Sequence, residues 1–163
     1  MKRVATVLGA VIVIGLAYVY WVLPGKVESS LNQTLPHEAY SISDRAQQLH
    51  DSLFVVDLHS DSLLWKRRLL EESSIGHVDL PRLQRGNVAL QVFSATTKSP
   101  AGLNYERNTA ASDQITKLAV ASFWPVRTWT SLYERAAFQL EKLHRFASAG
   151  SLTVIDTRQD LQE

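Results

Sequence analysis

Val55-Val56-Asp57-Leu58-His59-Ser60-Asp61 is an apolar run that turns into alternating Asp, His and Asp. Successive side chains of an extended strand point to opposite faces, so Asp57, His59 and Asp61 share one side. A neutral imidazole and a carboxylate two residues apart can then close on one metal ion, at about 2.0–2.2 Å each for zinc. Leu53-Phe54, just upstream, extends the apolar run into what a strand buried on both faces looks like, as in a parallel sheet. Polar ligands at the C-terminal end of such a strand are where α/β barrels keep their chemistry. A strand end tied up by hydrogen bonds is the other reading of the same residues.

Further upstream, Met1-Lys2-Arg3 is basic, and Val4 to Leu23 follows without a charged side chain. A bilayer core of ~30 Å needs about 20 apolar residues in helical form, so this run is long enough to span. Tyr18, Tyr20 and Trp21 cluster at its far end, where amphipathic aromatics favour the membrane interface. A cleaved signal peptide shares the basic start, but its apolar region is usually shorter. Pro24-Gly25-Lys26 stands where a small-x-small cleavage site would be needed. The expectation is a retained single-pass anchor over residues 1–23. Lys2 and Arg3 against a lone Lys26 place the N-terminus in the cytoplasm and the main part outside it, periplasmic if the chain is bacterial.

The chain has no cysteine, which excludes a disulfide scaffold, thiolate ligands and a cysteine nucleophile. Its net charge of +1 offers no clustered basic face for nucleic acid. Lys66-Arg67-Arg68, the only basic triplet, reads as a solvated helix face. Without anchor and linker roughly 120 residues remain, against about 250 for a complete (β/α)8 barrel.

Residues 24–41 read as an extended stalk, with Pro24, Gly25, Pro36 and many polar side chains; Asn32-Gln33-Thr34 matches a glycosylation acceptor. A short helix is expected from Ser43 to about Asp51, capped by Ser43, with Ala46 and Leu49 facing inward. The first strand covers Leu53 to Leu58, and Ser62 to Glu72 reads as a helix. Asp79 can cap a helical turn that Gly86 ends, since Pro81 is tolerated in a first turn. Val88 to Thr96 is the second strand. Thr109 to Phe123 reads as a helix with Ile115, Leu118 and Ala119 inside, stopped ahead of Pro125. Ser131-x-x-Glu134 is a capping box for a helix whose stripe is Leu132, Ala136, Leu140, Leu143 and Ala147, ending before Gly150. Leu152 to Ile155 is a third strand, and Thr157 to Glu163 opens another helix. Strands alternating with helices imply parallel βαβ units and an α/β fold.

Two His-x-Asp pairs occur, His59/Asp61 and His77/Asp79. The second lies in a loop opening a helical turn, where Asp79 serves as a cap and His77 as a surface or packing residue. The first lies at a strand end, where both side chains can converge.

Three blocks, Asp57-Leu58-His59-Ser60-Asp61-Ser62-Leu63, Gly76-His77-Val78-Asp79-Leu80-Pro81-Arg82-Leu83 and Gly86-Asn87-Val88-Ala89-Leu90-Gln91-Val92-Phe93-Ser94, occur in that order. Together they resemble the membrane (renal) dipeptidase family of the amidohydrolase superfamily. The similarity covers about residues 53–96, with weaker agreement through Thr157-Arg158-Gln159-Asp160-Leu161. Trp124 and Trp129 fall in a longer stretch, where core or interface packing suits them better than a ligand cage.

The resemblance implies a zinc metallodipeptidase on an incomplete (β/α) TIM-type barrel of about three strands, preceded by one transmembrane helix. It implies two Zn2+ ions per complete site, with His59 and Asp61 matching the first-strand ligands to one of them. Asp57 either orients His59 or makes a strand-end hydrogen bond. The family's glutamate bridging the two metals and its later histidines have no match here, and Glu163 is not assigned the bridging role. Residues 42–163 are therefore expected to be the N-terminal portion of a dipeptidase barrel, a fragment from a truncated reading frame or an incomplete sequence, and inactive alone. The expected partners are a dipeptide substrate, the membrane and, through an open sheet edge, a second copy in a homodimer. Two alternatives stand beside this: a related amidohydrolase acting on N-acyl amino acid or β-lactam amides, and a non-catalytic membrane-tethered remnant.

Overall fold

The structure, a computed structural model, describes residues 2–150 and 152–161. Met1, Gln162 and Glu163, which the expected anchor and last helix include, lie outside the described residues. The fold mixes helices with one two-stranded parallel sheet, β1 (Val55–Ser60) beside β2 (Val88–Phe93). Val55 pairs with Val88, Val56 with Leu90, Asp57 with Gln91 and Ser60 with Phe93, with register shifts after Val55 and after Asp57. The parallel relation matches the sequence reading, and the third strand does not form. Residues 152–156 run without a ladder partner, and a strand exists only through its pairing. With one neighbour and no helix layer over it, β1 is also less covered than a parallel strand is expected to be: Phe54, Val56 and Leu58 are exposed.

The N-terminal helix α1 (Lys2–Trp21) buries no residue and is apolar and long enough to cross a membrane. In place of an extended tether, the chain continues as α2 (Leu23–Leu31), with Pro24 in its first turn where a missing N–H does no harm. This segment is docked. Glu28 is buried with its carboxylate 3.0 Å from Arg67 Nε, an ion pair whose N–H is not aimed at the oxygen. Asn32 accepts at its carbonyl from Gly76 N at 2.7 Å, and its buried Nδ2 makes it a poor sugar acceptor.

Ser43 caps α3 (Asp44–Asp51) as expected, accepting from Ala46 N, yet Ala46 and Leu49 face solvent. The helix expected over Ser62 to Glu72 is only a 3-10 turn, Ser62–Leu64, followed by irregular chain. At about 100° per residue a helix would splay Leu63, Leu64 and Leu69 over three faces. All three are buried, which an irregular path permits. The triplet Lys66-Arg67-Arg68 is accordingly no helix face, and Arg67 turns inward to Glu28.

Asp79 caps α4 (Leu80–Arg85), and Gly86 follows it. The helix α5 (Gln114–Ala121) starts five residues after the expected Thr109 because Asp113 is its cap, accepting from Ile115 N at 3.0 Å. Ser131 caps α6 (Leu132–Ala147) through Glu134 N at 3.2 Å, while the Glu134 carboxylate pairs with Arg127 and leaves the capping box half made. The expected period of α6 holds but its phase is turned by one residue. Arg135 and Gln139 are buried, whereas Leu132 and Leu140 are largely exposed. Polar acceptors on neighbouring loops, described below, select that face.

The apolar core is small: Leu64, Ile115, Ala119 and Trp124, flanked by Trp65, Leu118, Trp129 and Phe138. The two tryptophans pack as expected, with the Trp124 and Phe138 rings 4.9 Å apart and Trp129 Nε1 donating to the Trp124 carbonyl at 3.1 Å.

Candidate metal centre

The end of β1 brings His59 and Asp61 together, with Nε2 and Oδ2 3.3 Å apart. Two ligand atoms on one tetrahedral ion at about 2.0–2.1 Å are separated by about 3.3–3.4 Å. The pair makes a hydrogen bond across that distance, and the same spacing suits two ligands of one such ion. Its imidazole is 70 % exposed and its carboxylate 45 %, so the position is open to solvent.

Asp61 is held from behind. Ser94 and Thr96, just past β2, donate hydroxyl hydrogen bonds to its Oδ1 at 2.5 and 2.6 Å, leaving Oδ2 toward His59. Partial burial alone would raise the carboxyl pKa, but the bonds from Ser94, Thr96 and His59 outweigh it and hold the value below the usual range. An anionic oxygen fixed in direction and facing an imidazole nitrogen is the donor set a divalent cation uses.

Thr96 is itself anchored. Its N–H donates to Gln139 Oε1 at 3.2 Å and its carbonyl accepts from Gln139 Nε2 at 3.0 Å. The buried amide of Gln139 thus occupies the place of a neighbouring strand and extends the support of Asp61 into α6. Beside it, Arg135 donates to the Thr97 carbonyl at 2.6 Å.

Asp57 does not reach the imidazole. Its Oδ1 accepts from His59 N at 3.2 Å, which fixes the backbone at the strand end. Of the two roles open to it, the strand-end hydrogen bond is the one the geometry shows.

His77 and Asp79 do not form a second centre. Asp79 is buried, with Oδ1 accepting from Arg82 N at 3.0 Å and Oδ2 accepting from Ser73 N at 3.2 Å and from the Arg82 guanidinium. His77 faces solvent.

Sequence reasoning missed Ser94, Thr96 and Gln139. A signal for the first two was present: Ser94 and Thr96 repeat, at the end of the second strand, the period-two polar pattern seen at the end of the first. Nothing comparable marks Gln139. Among the described residues, no group of three or more His, Asp or Glu side chains converges. Compared with family models, curated proteins and solved structures, the chain matches none of them.

Proposed function

We propose that His59 and Asp61 are two ligands of a zinc centre that hydrolyses dipeptides in the intact, membrane-anchored protein. The observation that carries this reading is the 3.3 Å separation of the His59 and Asp61 donor atoms, with the second carboxylate oxygen held by Ser94 and Thr96. The resemblance of residues 53–96 to membrane dipeptidases supplies the substrate class. The α1 helix is the retained anchor, with its N-terminus cytoplasmic and the rest of the chain outside.

When bound, a pair of zinc ions supplies a Lewis acid for the peptide carbonyl and an activated water. His59 would offer the Nε2 lone pair with its ring proton on Nδ1, a bound cation taking the place of the Nε2 proton that now faces Asp61. Asp61 offers one oxygen of fixed direction, and the hydroxyls of Ser94 and Thr96 keep the carboxylate anionic and stop it rotating. The open side of the pair admits a small peptide.

Catalytic zinc takes three protein ligands plus water, so His59 and Asp61 alone hold an ion weakly. A catalytic centre in this reading needs at least one ligand beyond this pair. The absence of a third converging ligand among the described residues favours a second reading, a membrane-tethered remnant without catalysis.

Metal analysis and a substrate panel on the full-length protein separate these. Bound zinc with dipeptide turnover supports the dipeptidase; zinc with turnover of N-acyl amino acids alone moves the substrate class; a metal-free, inert protein leaves the remnant.

A further inference from the structure

A cleft of about 290 Å³ opens between the chain following the Ser62–Leu64 turn, the end of α5 and the inner side of α6. Its walls bring the cations Lys66, Lys142 and Arg145 among the rings of Trp65, Phe123 and Phe146. Arg67 and Arg68 also reach it, but their charge is matched, by Glu28 and by Glu71, each at 3.0 Å. Among the described residues, Lys66, Lys142 and Arg145 have no carboxylate at ion-pair distance, and no acidic side chain lines the cleft. Lys142 is turned inward, donating to the Leu63 carbonyl at 3.3 Å and to the Trp65 carbonyl. Buried Glu28 acts as counter-charge to Lys142 as well as to Arg67, so the unmatched positive charge of the cleft is that of Lys66 and Arg145, beside a partly apolar wall.

Its rim touches the end of α1. The Tyr20 ring meets Phe123 edge-on, with centroids 4.7 Å apart. Lys66 Nζ lies 4.4 Å from the Tyr20 ring centroid and 3.4 Å from the Tyr20 carbonyl oxygen. Tyr18, Tyr20 and Trp21 form the aromatic belt that settles at the membrane–water boundary. With α1 spanning a bilayer, a cleft sharing contacts with that belt would lie at headgroup depth.

We propose that this cleft binds the phosphate headgroup of an anionic phospholipid, with Lys66 and Arg145 meeting the phosphate and the aromatic wall covering the glycerol shoulder. Guanidinium and ammonium groups are the usual phosphate partners. The lipid then holds the folded unit against the membrane in one orientation. The inference rests on α1 spanning a bilayer and is independent of the zinc centre.

Hydrogen exchange on the full chain in lipid nanodiscs tests this. Amides of residues 65–68 and 142–146 exchange about tenfold more slowly in discs containing phosphatidylglycerol than in pure phosphatidylcholine. The double variant K66E/R145E loses that difference while β1 and β2 keep their protection. Equal exchange of the native chain in the two kinds of disc overturns the proposal. Equal protection by inorganic phosphate added to pure phosphatidylcholine discs also overturns it, because the site then serves a soluble anion. Carbonate extraction from vesicles reads α1 separately: a chain that washes off removes the membrane span and the cleft's role together. A chain that stays embedded without lipid dependence removes the cleft alone.

Discussion

Arg135 Nη1 donates to Asp113 Oδ2 at 2.6 Å, with the guanidinium only 1 % exposed. The other bonds run to the Thr128 and Trp129 carbonyls at 2.7 Å, the Thr97 carbonyl at 2.6 Å and Thr116 Oγ1 at 2.7 Å. A guanidinium has five N–H donors, so none is left without a partner. One side chain joins the cap of α5, the turn before α6 and the chain after β2.

Arg135→Met keeps much of the side-chain volume but takes the cationic partner from Asp113, which retains Thr116 and Ile115 N, and the guanidinium from three carbonyls. Breaking a buried pair from one side costs about 3–5 kcal/mol. Urea unfolding of the detergent-solubilised chain, followed by tryptophan fluorescence, should show that loss. A change below about 1 kcal/mol, the worth of one ordinary hydrogen bond, would contradict the role given to Arg135.

The same pair sets an acid limit. Partial burial would raise the Asp113 pKa, but hydrogen bonds from Arg135, Thr116 and Ile115 N hold it down to about 2, against 3.8 for a free aspartate. A depressed carboxyl stabilises the fold fully above the unfolded value and loses that contribution as pH falls through the folded one. About 2 kcal/mol should therefore disappear between roughly pH 4 and pH 2. In Arg135→Met this acid-sensitive component should shrink, as a pH series of urea midpoints would reveal.

Thr96→Val removes one of the two hydroxyls on Asp61 Oδ1 while keeping the backbone bonds to Gln139. Loss of such a supporting bond typically weakens metal affinity by about 10–100-fold. Zinc titration of the intact protein against a fluorescent chelator measures it; unchanged affinity would detach Thr96 from the centre.

His59→Ala should leave stability within about 0.5 kcal/mol, because an exposed side chain away from the core contributes little. If the proposed dipeptidase centre exists, zinc binding and dipeptide turnover by the full-length protein should both vanish. Full turnover in this variant would remove the ligand assignment.

Much of this organisation is legible in the residues. The membrane-length helix, both parallel strands, the caps Ser43, Asp79, Ser131 and the inward set Ile115, Leu118 and Ala119 follow from local pattern, because each depends on neighbours a few positions away. The His59–Asp61 approach follows from strand alternation for the same reason. What sequence hides is set at a distance. The inner face of α6 is chosen by carbonyls at Thr96, Thr97, Thr128 and Trp129, which no hydropathy pattern on the helix itself can display. The docking of α2 depends on Glu28 meeting Arg67, 39 positions along the chain.

The interior just described is unusual in composition. Among the described residues, eight polar or charged side chains are buried against seven apolar ones, Pro24 included. Exposure of apolar surface raises the heat capacity on unfolding and exposure of polar surface lowers it. The increment for this chain should therefore fall below the usual ~12–15 cal/mol/K per residue, and its stability should vary with temperature along a shallow arc. Chilling would weaken such a molecule far less than it weakens one built on oil-like packing.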